Sequence, residues 1–314
     1  RDLGQLIFID LRDRTGVVQL AFNDKTDKEI FDKAFACRSE FVLAAKGKVL
    51  ERSSKNSEIP TGDIEVLVTD LRVLSKAQTP PFEIVDNTET NEELRLKYRY
   101  LDLRRDPMQQ NIILRSQVMF ATREYLTSKG FLEIETPTFV KSTPEGARDY
   151  LVPSRVHPGK FYSLPQSPQL YKQLLMVSGF DKYFQIARCY RDEDARGDRQ
   201  PEFTQIDMEM SFTNREEVLE TTEGMMQYIF KKTLNYNLPV HFDRITWEDA
   251  FDLYGSDKPD LRFDMKMQDA AFMAELADFN AFKAGAANAD KSIERHKRSG
   301  IKALVVKNAA DKYS

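Results

Sequence analysis

Apolar and polar positions change their rhythm along the chain, and the changes mark its elements. Residues 6–11 alternate, residues 12–16 read as a turn, and residues 17–22 alternate again, which predicts a hairpin. Ile30, Phe31, Ala34 and Phe35 recur at helical spacing and predict one short helix. Further strands are expected over residues 41–49 and 64–73. Strands, one short helix, then more strands suggest a small all-β barrel over residues 1–81. Thr79-Pro80-Pro81 closes it, because consecutive prolines cannot extend a ladder.

Residues 82–110 read as a charged connector. Arg95, Lys97, Arg99, Arg104 and Arg105 stand there against one acid, Asp102. That composition suits either a solvated helix face or a hinge that contacts phosphate. Residues 111–129 predict an amphipathic helix with Leu114, Val118, Ala121 and Tyr125 on one face and Gly130 as its stop. A strand follows over 131–135 and ends at Pro137; others are expected at 160–164, 183–191 and 202–212, and a helix at 216–232. Long strands without regularly alternating helices favour an α+β domain over 111–260, with a largely antiparallel sheet and helices on one side. After residue 260 the pattern restarts, with a helix over 268–276 and a short strand over 303–306, as if a further domain (261–314) begins.

Period-2 counting assigns faces. In the hairpin Ile7, Ile9, Leu11, Val18, Leu20 and Phe22 point inward, and Phe8, Asp10, Arg12, Val17, Gln19 and Ala21 outward. On the later strand Ile64, Val66 and Val68 point in and Glu65 out. An outward aromatic near Gln19, Glu65 and Arg1 is the composition of a platform that stacks a base and reads its edge. It is also that of a surface aromatic covered by a loop, the commoner case for alternation alone. Over residues 183–212, Thr204, Ile206, Met208 and Met210 share one face, and Phe203, Gln205, Asp207 and Glu209 the other, matched by Gln185, Cys189 and Arg191. The polar face is either exposed or the floor of a cleft. Arg191, Arg196 and Arg199 beside Phe203 suit a polyphosphate and a stacked ring. Gln169 and Lys172 share a helix face, so Lys172 could meet a carboxylate, with Asp207 and Glu145 for an ammonium; solvated side chains give the same pattern.

Composition narrows the classes. The 314 residues are 41% hydrophobic and 31% charged, with net charge −4, which excludes a disordered chain and a generally basic coat protein. Cys37 and Cys189 are the only cysteines, and His157, His241 and His296 lie far apart, so neither a disulfide framework nor a metal cluster is expected. Apolar runs stay well short of the roughly 18 residues of a membrane helix. No signal-like segment occurs, and the chain opens at Arg1, so a cytoplasmic protein with a missing N-terminus is expected. There is no Walker-type glycine loop, GxGxxG, nucleophile elbow or His-Glu metal motif, so phosphate handling would fall to arginines on an antiparallel sheet.

Several segments resemble one family. FLEIETPTFVKSTPEGARDYLVPSRV is similar to motif 1 of the class II aminoacyl-tRNA synthetases and the loop after it. CYRDEDARGDRQPEFTQIDMEMSF resembles motif 2, its signature present as Tyr190-Arg191-Asp192-Glu193. QSPQLYKQ and TPEGARDY resemble the aspartyl branch of subclass b, and RDLGQLIFIDLRDRTGVVQ its anticodon-binding OB-fold. YGSDKPDLRF followed by a new domain resembles the bacterial type with its insertion domain.

The resemblance implies a multidomain chain: an OB-fold barrel, a hinge, an α+β class II catalytic domain with motifs 1 and 2, and the start of an α+β insertion domain. It implies an ATP-dependent ligase that makes aspartyl-adenylate and pyrophosphate from L-aspartate, then charges tRNA-Asp; whether tRNA-Asn is charged too stays open. Arg191 would bridge the α-phosphate and the substrate carboxylate. Asp192, Glu193 and Gln200 would lie on the ATP side, and Phe203 would stack on adenine. Glu145 and Asp207, helped by Ser167 and Gln169, would hold the ammonium, and Lys172 the side-chain carboxylate. Mg2+ is implied around the phosphates, with its ligands mostly outside this chain. Arg1, Phe8, Gln19, Asn56 and Glu65 match anticodon-contacting positions, and motif 1 with Pro137 a homodimer interface. Motif 3 and the first OB strand are missing, so a fragment inactive alone, about half the family's usual extent, is expected. An asparaginyl or lysyl enzyme of the same subclass, against which Lys172 speaks, and a non-catalytic RNA-binding relative are the rival readings.

Overall fold

The computed structural model describes residues 6–143, 146–194, 197, 199–262, 264–276, 278–287 and 301–306. The chain divides into two compact units, residues 1–116 and 117–314.

The first unit is built on four strands and a helix: β1 (Ile7–Asp13), β2 (Gly16–Phe22), α1 (Lys28–Ala36), β3 (Val42–Glu51) and β4 (Ile64–Ser75). The strand order is β1-β2-β4-β3, with β1/β2 and β3/β4 antiparallel and β2/β4 parallel. Among the described strands β1 and β3 are edges. A cleft of about 790 Å³ runs along β1, the end of α1 and Leu43 of β3. Asp27 caps α1 by accepting from the Glu29 amide, which turns Ile30, Phe31 and Ala34 onto the sheet. Ile7, Leu20, Phe22, Ala34, Val68 and Leu71 form the core, with Ile9, Leu11 and Val66 packed against it. The inward face of the hairpin is thus the expected one. Three positions differ. Ala21 is buried although its parity is outward, because a methyl group is covered by its neighbours. Ile64 is exposed at the end of β4. Leu71 is buried out of parity with Val68, because the β3/β4 register shifts between Lys46 and Gly47, leaving Thr69 as an extra residue. Gly47 is required there: a Cβ would lie 2.3 Å from the Leu67 carbonyl oxygen.

The connector's charges are organised around one buried acid. It folds as α2 (Glu92–Lys97) and α3 (Arg99–Asp102), and Asp102 is 0% exposed. Arg105 Nε donates to Asp102 Oδ1 at 2.7 Å, Arg99 donates to Oδ2, and Arg95 lies 3.6 Å away. Burial pushes this carboxyl up, but the Arg105 hydrogen bond and the charges of Arg105, Arg95 and Arg99 outweigh it and hold it below the usual range. Arg105 also donates to the Asp86 carbonyl at 2.8 Å, and Arg104 pairs with Glu40, which Arg12 binds at 3.0 Å. Four of the five basic residues are therefore engaged internally.

Helix α4 (Asp106–Ser128) begins five residues before the expected start and stops two residues short of Gly130, φ +81°. In the second unit it is followed by β5 (Leu132–Glu133), β6 (Leu151–Pro153), β7 (Phe161–Ser163), α5 (Gln169–Val177), β8 (Lys182–Tyr190), β9 (Glu202–Met210) and α6 (Arg215–Leu234). Then come α7 (Trp247–Tyr254), β10 (Gln268–Asp269), α8 (Met273–Leu276), α9 (Asn280–Ala287) and β11 (Lys302–Ala303). The main sheet has the order β5-β8-β9; β8/β9 is the expected antiparallel pair, and β5 joins it in parallel. Ala121 and Leu126 of α4 and Met225 and Ile229 of α6 pack with Phe131, Phe184, Met208 and Met210, so these two helices cover the apolar face. Helix α5 lies against the other face, which the one-sided expectation missed. The helix expected over 268–276 survives only at its end. Gln268 and Asp269 pair instead with Ala303 and Lys302, and Lys302 Nζ reaches Asp252 on α7 at 2.5 Å.

Candidate active site and nucleic-acid face

The polar face of β8/β9 is buried to half-buried, with α5 against it. Tyr183 and Cys189 are fully buried on it, and the register sets Gln185 opposite Asp207, Tyr183 opposite Glu209 and Cys189 opposite Phe203. Lys172, 8% exposed on α5, reaches down to Asp207 Oδ1 at 2.8 Å and Glu209 Oε2 at 3.3 Å. Glu209 was legible as a face member but not as a partner of Lys172. The strand parity and the α5 periodicity together would have found it. Tyr183 donates to Gln185 Oε1 at 2.9 Å, and Thr136 donates to the same oxygen at 2.9 Å. Burial first, and the Asp207 charge second, push the Tyr183 phenol far above its usual range, so it stays a neutral donor.

Among the described residues, Asp207 Oδ2 and Arg191 Nε are buried on this face and find no hydrogen-bond partner. Leaving a charged group so costs about 1–3 kcal/mol or more, unless a ligand satisfies it. The guanidinium centre of Arg191 lies 5.1 Å from the Phe203 ring centroid, a stack that holds the side chain flat. Successive backbone bonds fix its position: Tyr190 N to Pro165 O at 2.9 Å, Arg191 N to Pro201 O at 2.8 Å, and Asp192 N to Arg148 O at 3.0 Å.

The remaining expected residues divide. Gln169 opens α5 half-buried, one turn before Lys172, and Ser167 lies half-buried just ahead of it. The side chains of Asp192, Glu193 and Gln200 are exposed, and Glu193 faces Arg199 at 3.9 Å. Arg196, Glu145 and Arg1 lie outside the described residues. Pro137 is exposed after β5. Among the described residues no three His, Cys, Asp or Glu gather closely enough to hold a cation.

In the first unit the hairpin register places Phe8 opposite Ala21 and Asp10 opposite Gln19, and the parallel pairing sets Gln19 beside Glu65. Gln19 Nε2 donates to Glu65 Oε2 at 2.8 Å, so an aromatic ring and a joined amide–carboxylate pair share the outer face. Asn56 is in the β3–β4 loop, where its Oδ1 accepts from the Glu58 amide at 2.9 Å. It shapes that loop.

An arginine stacked on a phenylalanine across an antiparallel strand pair, with a lysine and acids deeper on the same face, could hold anions beside an ammonium. That is the chemistry of a synthetase that joins an amino acid to a nucleotide. The chain belongs to the tRNA synthetases class II (D, K and N), whose family model matches residues 91–308. An OB-fold nucleic acid binding domain model matches residues 1–74. Among curated relatives, the aspartate–tRNA(Asp/Asn) ligase of Treponema denticola is 60% identical over 100% of this chain and 52% of its own length. The aspartate–tRNA ligase of Ruminiclostridium cellulolyticum is 57% identical over 90% of this chain and 48% of its own. The chain thus spans about half the length of these relatives. Asparaginyl-tRNA synthetase from Pyrococcus horikoshii, solved with asparaginyl-adenylate, is similar over 75% of this chain and 52% of that one, with TM-score 0.65 and 27% identity. The Entamoeba histolytica asparaginyl enzyme, in the same kind of complex, has TM-score 0.66 and 26% identity over 79% of this chain and 58% of its own.

Proposed function

We propose that this chain carries the anticodon-reading and amino-acid-activating parts of an aspartate–tRNA ligase of the cytoplasm. The observation that carries the reading is the pair of orphaned atoms on one face. Among the described residues, Arg191 Nε is a buried donor without an acceptor, and Asp207 Oδ2 a buried acceptor without a donor. A zwitterionic amino acid supplies a carboxylate and an ammonium.

Arg191 would orient the substrate carboxylate against the α-phosphate of ATP and take up the charge that develops there, its planar fork fitting both anions. The first step needs positioning and charge stabilisation, with no protein nucleophile. The carboxylate attacks the α-phosphate, pyrophosphate leaves, and the terminal hydroxyl of tRNA later takes the aspartyl group. Phe203 offers adenine the ring face that Arg191 does not cover. Lys172 has three N–H bonds and two acidic partners, which leaves one N–H for a substrate side-chain carboxylate. Glu145, Ser167 and Gln169 remain assigned to the ammonium side, and Asp192, Glu193 and Gln200 to ATP, by family resemblance. The outer face with Phe8, Gln19 and Glu65 would stack and read an anticodon base, with Arg1 and Asn56 beside it. Motif 1 supports a homodimer: Phe120 on α4 and Leu132 on β5 are exposed apolar residues of that segment.

The test is amino-acid-dependent ATP–pyrophosphate exchange by the full gene product, offered aspartate, asparagine and lysine separately. Exchange with aspartate alone is expected. Exchange only with asparagine or lysine moves the chain to a sister enzyme, and exchange with none leaves an RNA-binding relative.

A further inference from the structure

We infer that Gln166 is a positioning residue for Arg191, acting through a buried latch to Asp149 and Ala147. The inference rests on the proposed synthetase reading for its kinetic arm and on geometry alone for its structural arm. Gln166 is 4% exposed. Its Nε2 donates to the Ala147 carbonyl at 2.9 Å and also to Asp149 Oδ1. The other Asp149 oxygen accepts from Ser142 Oγ at 2.6 Å. One amide therefore ties two separate stretches, 147–149 and 165–166, to each other. The peptide that bears Arg191 hangs from both: Tyr190 N bonds to the Pro165 carbonyl on one side, and Asp192 N to the Arg148 carbonyl on the other. Each acceptor is the sequence neighbour of a latch residue.

Among the described residues no carboxylate holds the Arg191 side chain, which has a stack on Phe203 and an unpaired Nε. Its position must come from the backbone, and the backbone takes its position from the two latched stretches. Gln166 makes this link with its donors only; its Oε1 is buried and unpaired. Burial pushes the Asp149 carboxyl up, but hydrogen bonds from Ser142, Gln166 and Ser163 prevail and keep it an anion, the stronger acceptor.

The kinetic arm is a double-mutant cycle in pyrophosphate exchange. Gln166→Leu, and Asp149→Asn as an isosteric second variant, should each lower kcat by about 10- to 100-fold, the scale of a misplaced reacting group, with KM for ATP nearly unchanged. In an Arg191→Lys background the same changes should cost less than about 3-fold, because the group they position is already gone. A residue that only supports the fold would give the same loss in both backgrounds, and that outcome overturns the inference. The structural arm uses the 314-residue chain. Tryptic cleavage after Arg148 should be at least about tenfold faster in Gln166→Leu, with the global unfolding midpoint little changed. Unchanged cleavage overturns the latch whatever the enzyme does. If the full gene product activates no amino acid while cleavage still accelerates, the functional reading fails and the latch stands.

Discussion

Replacing Lys172 by methionine separates the structural role of its ammonium group from the substrate-binding role proposed for it. Lys172 holds two acids together, Asp207 at 2.8 Å and Glu209 at 3.3 Å. Removing one partner of a buried ion pair costs about 3–5 kcal/mol, because the remaining charge is left uncompensated. Here the Asp207 side chain is 10% exposed, but that of Glu209 is 32% exposed and can turn to water. Only Asp207 carries the full penalty, which puts the expected loss near the lower end, about 3 kcal/mol. For a unit of this size that lowers Tm by roughly 6–12 °C. Adding Asp207→Asn to Lys172→Met should recover part of it, since the stranded charge is gone. The functional effect is separate. Lys172→Met should lose aspartate activation and narrow the gap to asparagine, because a site built around a buried cation rejects the neutral isostere. Thermal unfolding and pyrophosphate exchange with both amino acids measure the two effects. A variant with unchanged Tm would refute the stability reasoning. One that keeps its aspartate preference would move the substrate's carboxylate partner elsewhere.

Three further outcomes are expected. Asp102 has a depressed carboxyl, so its contribution to stability is complete above its unfolded pKa and is lost as pH falls through the lower folded value; Tm should fall below about pH 4, and Asp102→Asn should lie lower at pH 7 with that acid limb flattened. Parallel melting curves for the two proteins from pH 7 to pH 3 would contradict this. Phe8→Ala should weaken tRNA binding by about 1–3 kcal/mol while Tm moves little; a sharp fall in Tm with binding intact would make Phe8 a packing residue. Sedimentation of the full gene product should give twice the monomer mass, and a clean monomer at micromolar concentration would remove the homodimer.

The strands and their faces were legible because alternation is a local signal. Ile7 and Leu20 against Phe8 and Gln19 could be counted directly. The same counting found the two faces of β9, and QSPQLYKQ placed Gln169 and Lys172 on one side of α5. What failed depends on contacts distant in sequence. The basic run at 95–105 looked solvated because nothing local says that Asp102 is buried beneath it. Gln268 and Asp269 fit a helix by spacing, but their partners are more than thirty residues away. Gln166 and Asp149 were passed over for the same reason, since a latch exists only once two stretches meet. Burial of the polar face of β8/β9 was also not local, because α5 has to cover it.

The extra residue at Thr69 has an effect on the far half of β4. Before it, even-numbered residues face the core; after it, odd-numbered ones do, so Val68 and Leu71 are both buried. A strand whose parity reverses part-way cannot slide along its neighbour. A slip of one residue would turn Glu65 inward, and a slip of two would carry the irregularity away from Gly47, the position that tolerates the close approach. The bulge therefore acts as a mechanical stop for the β3/β4 hairpin. Because Glu65 sits on that strand beside Gln19, the spacing of the outer platform is set by an irregularity on the opposite side of the same ribbon.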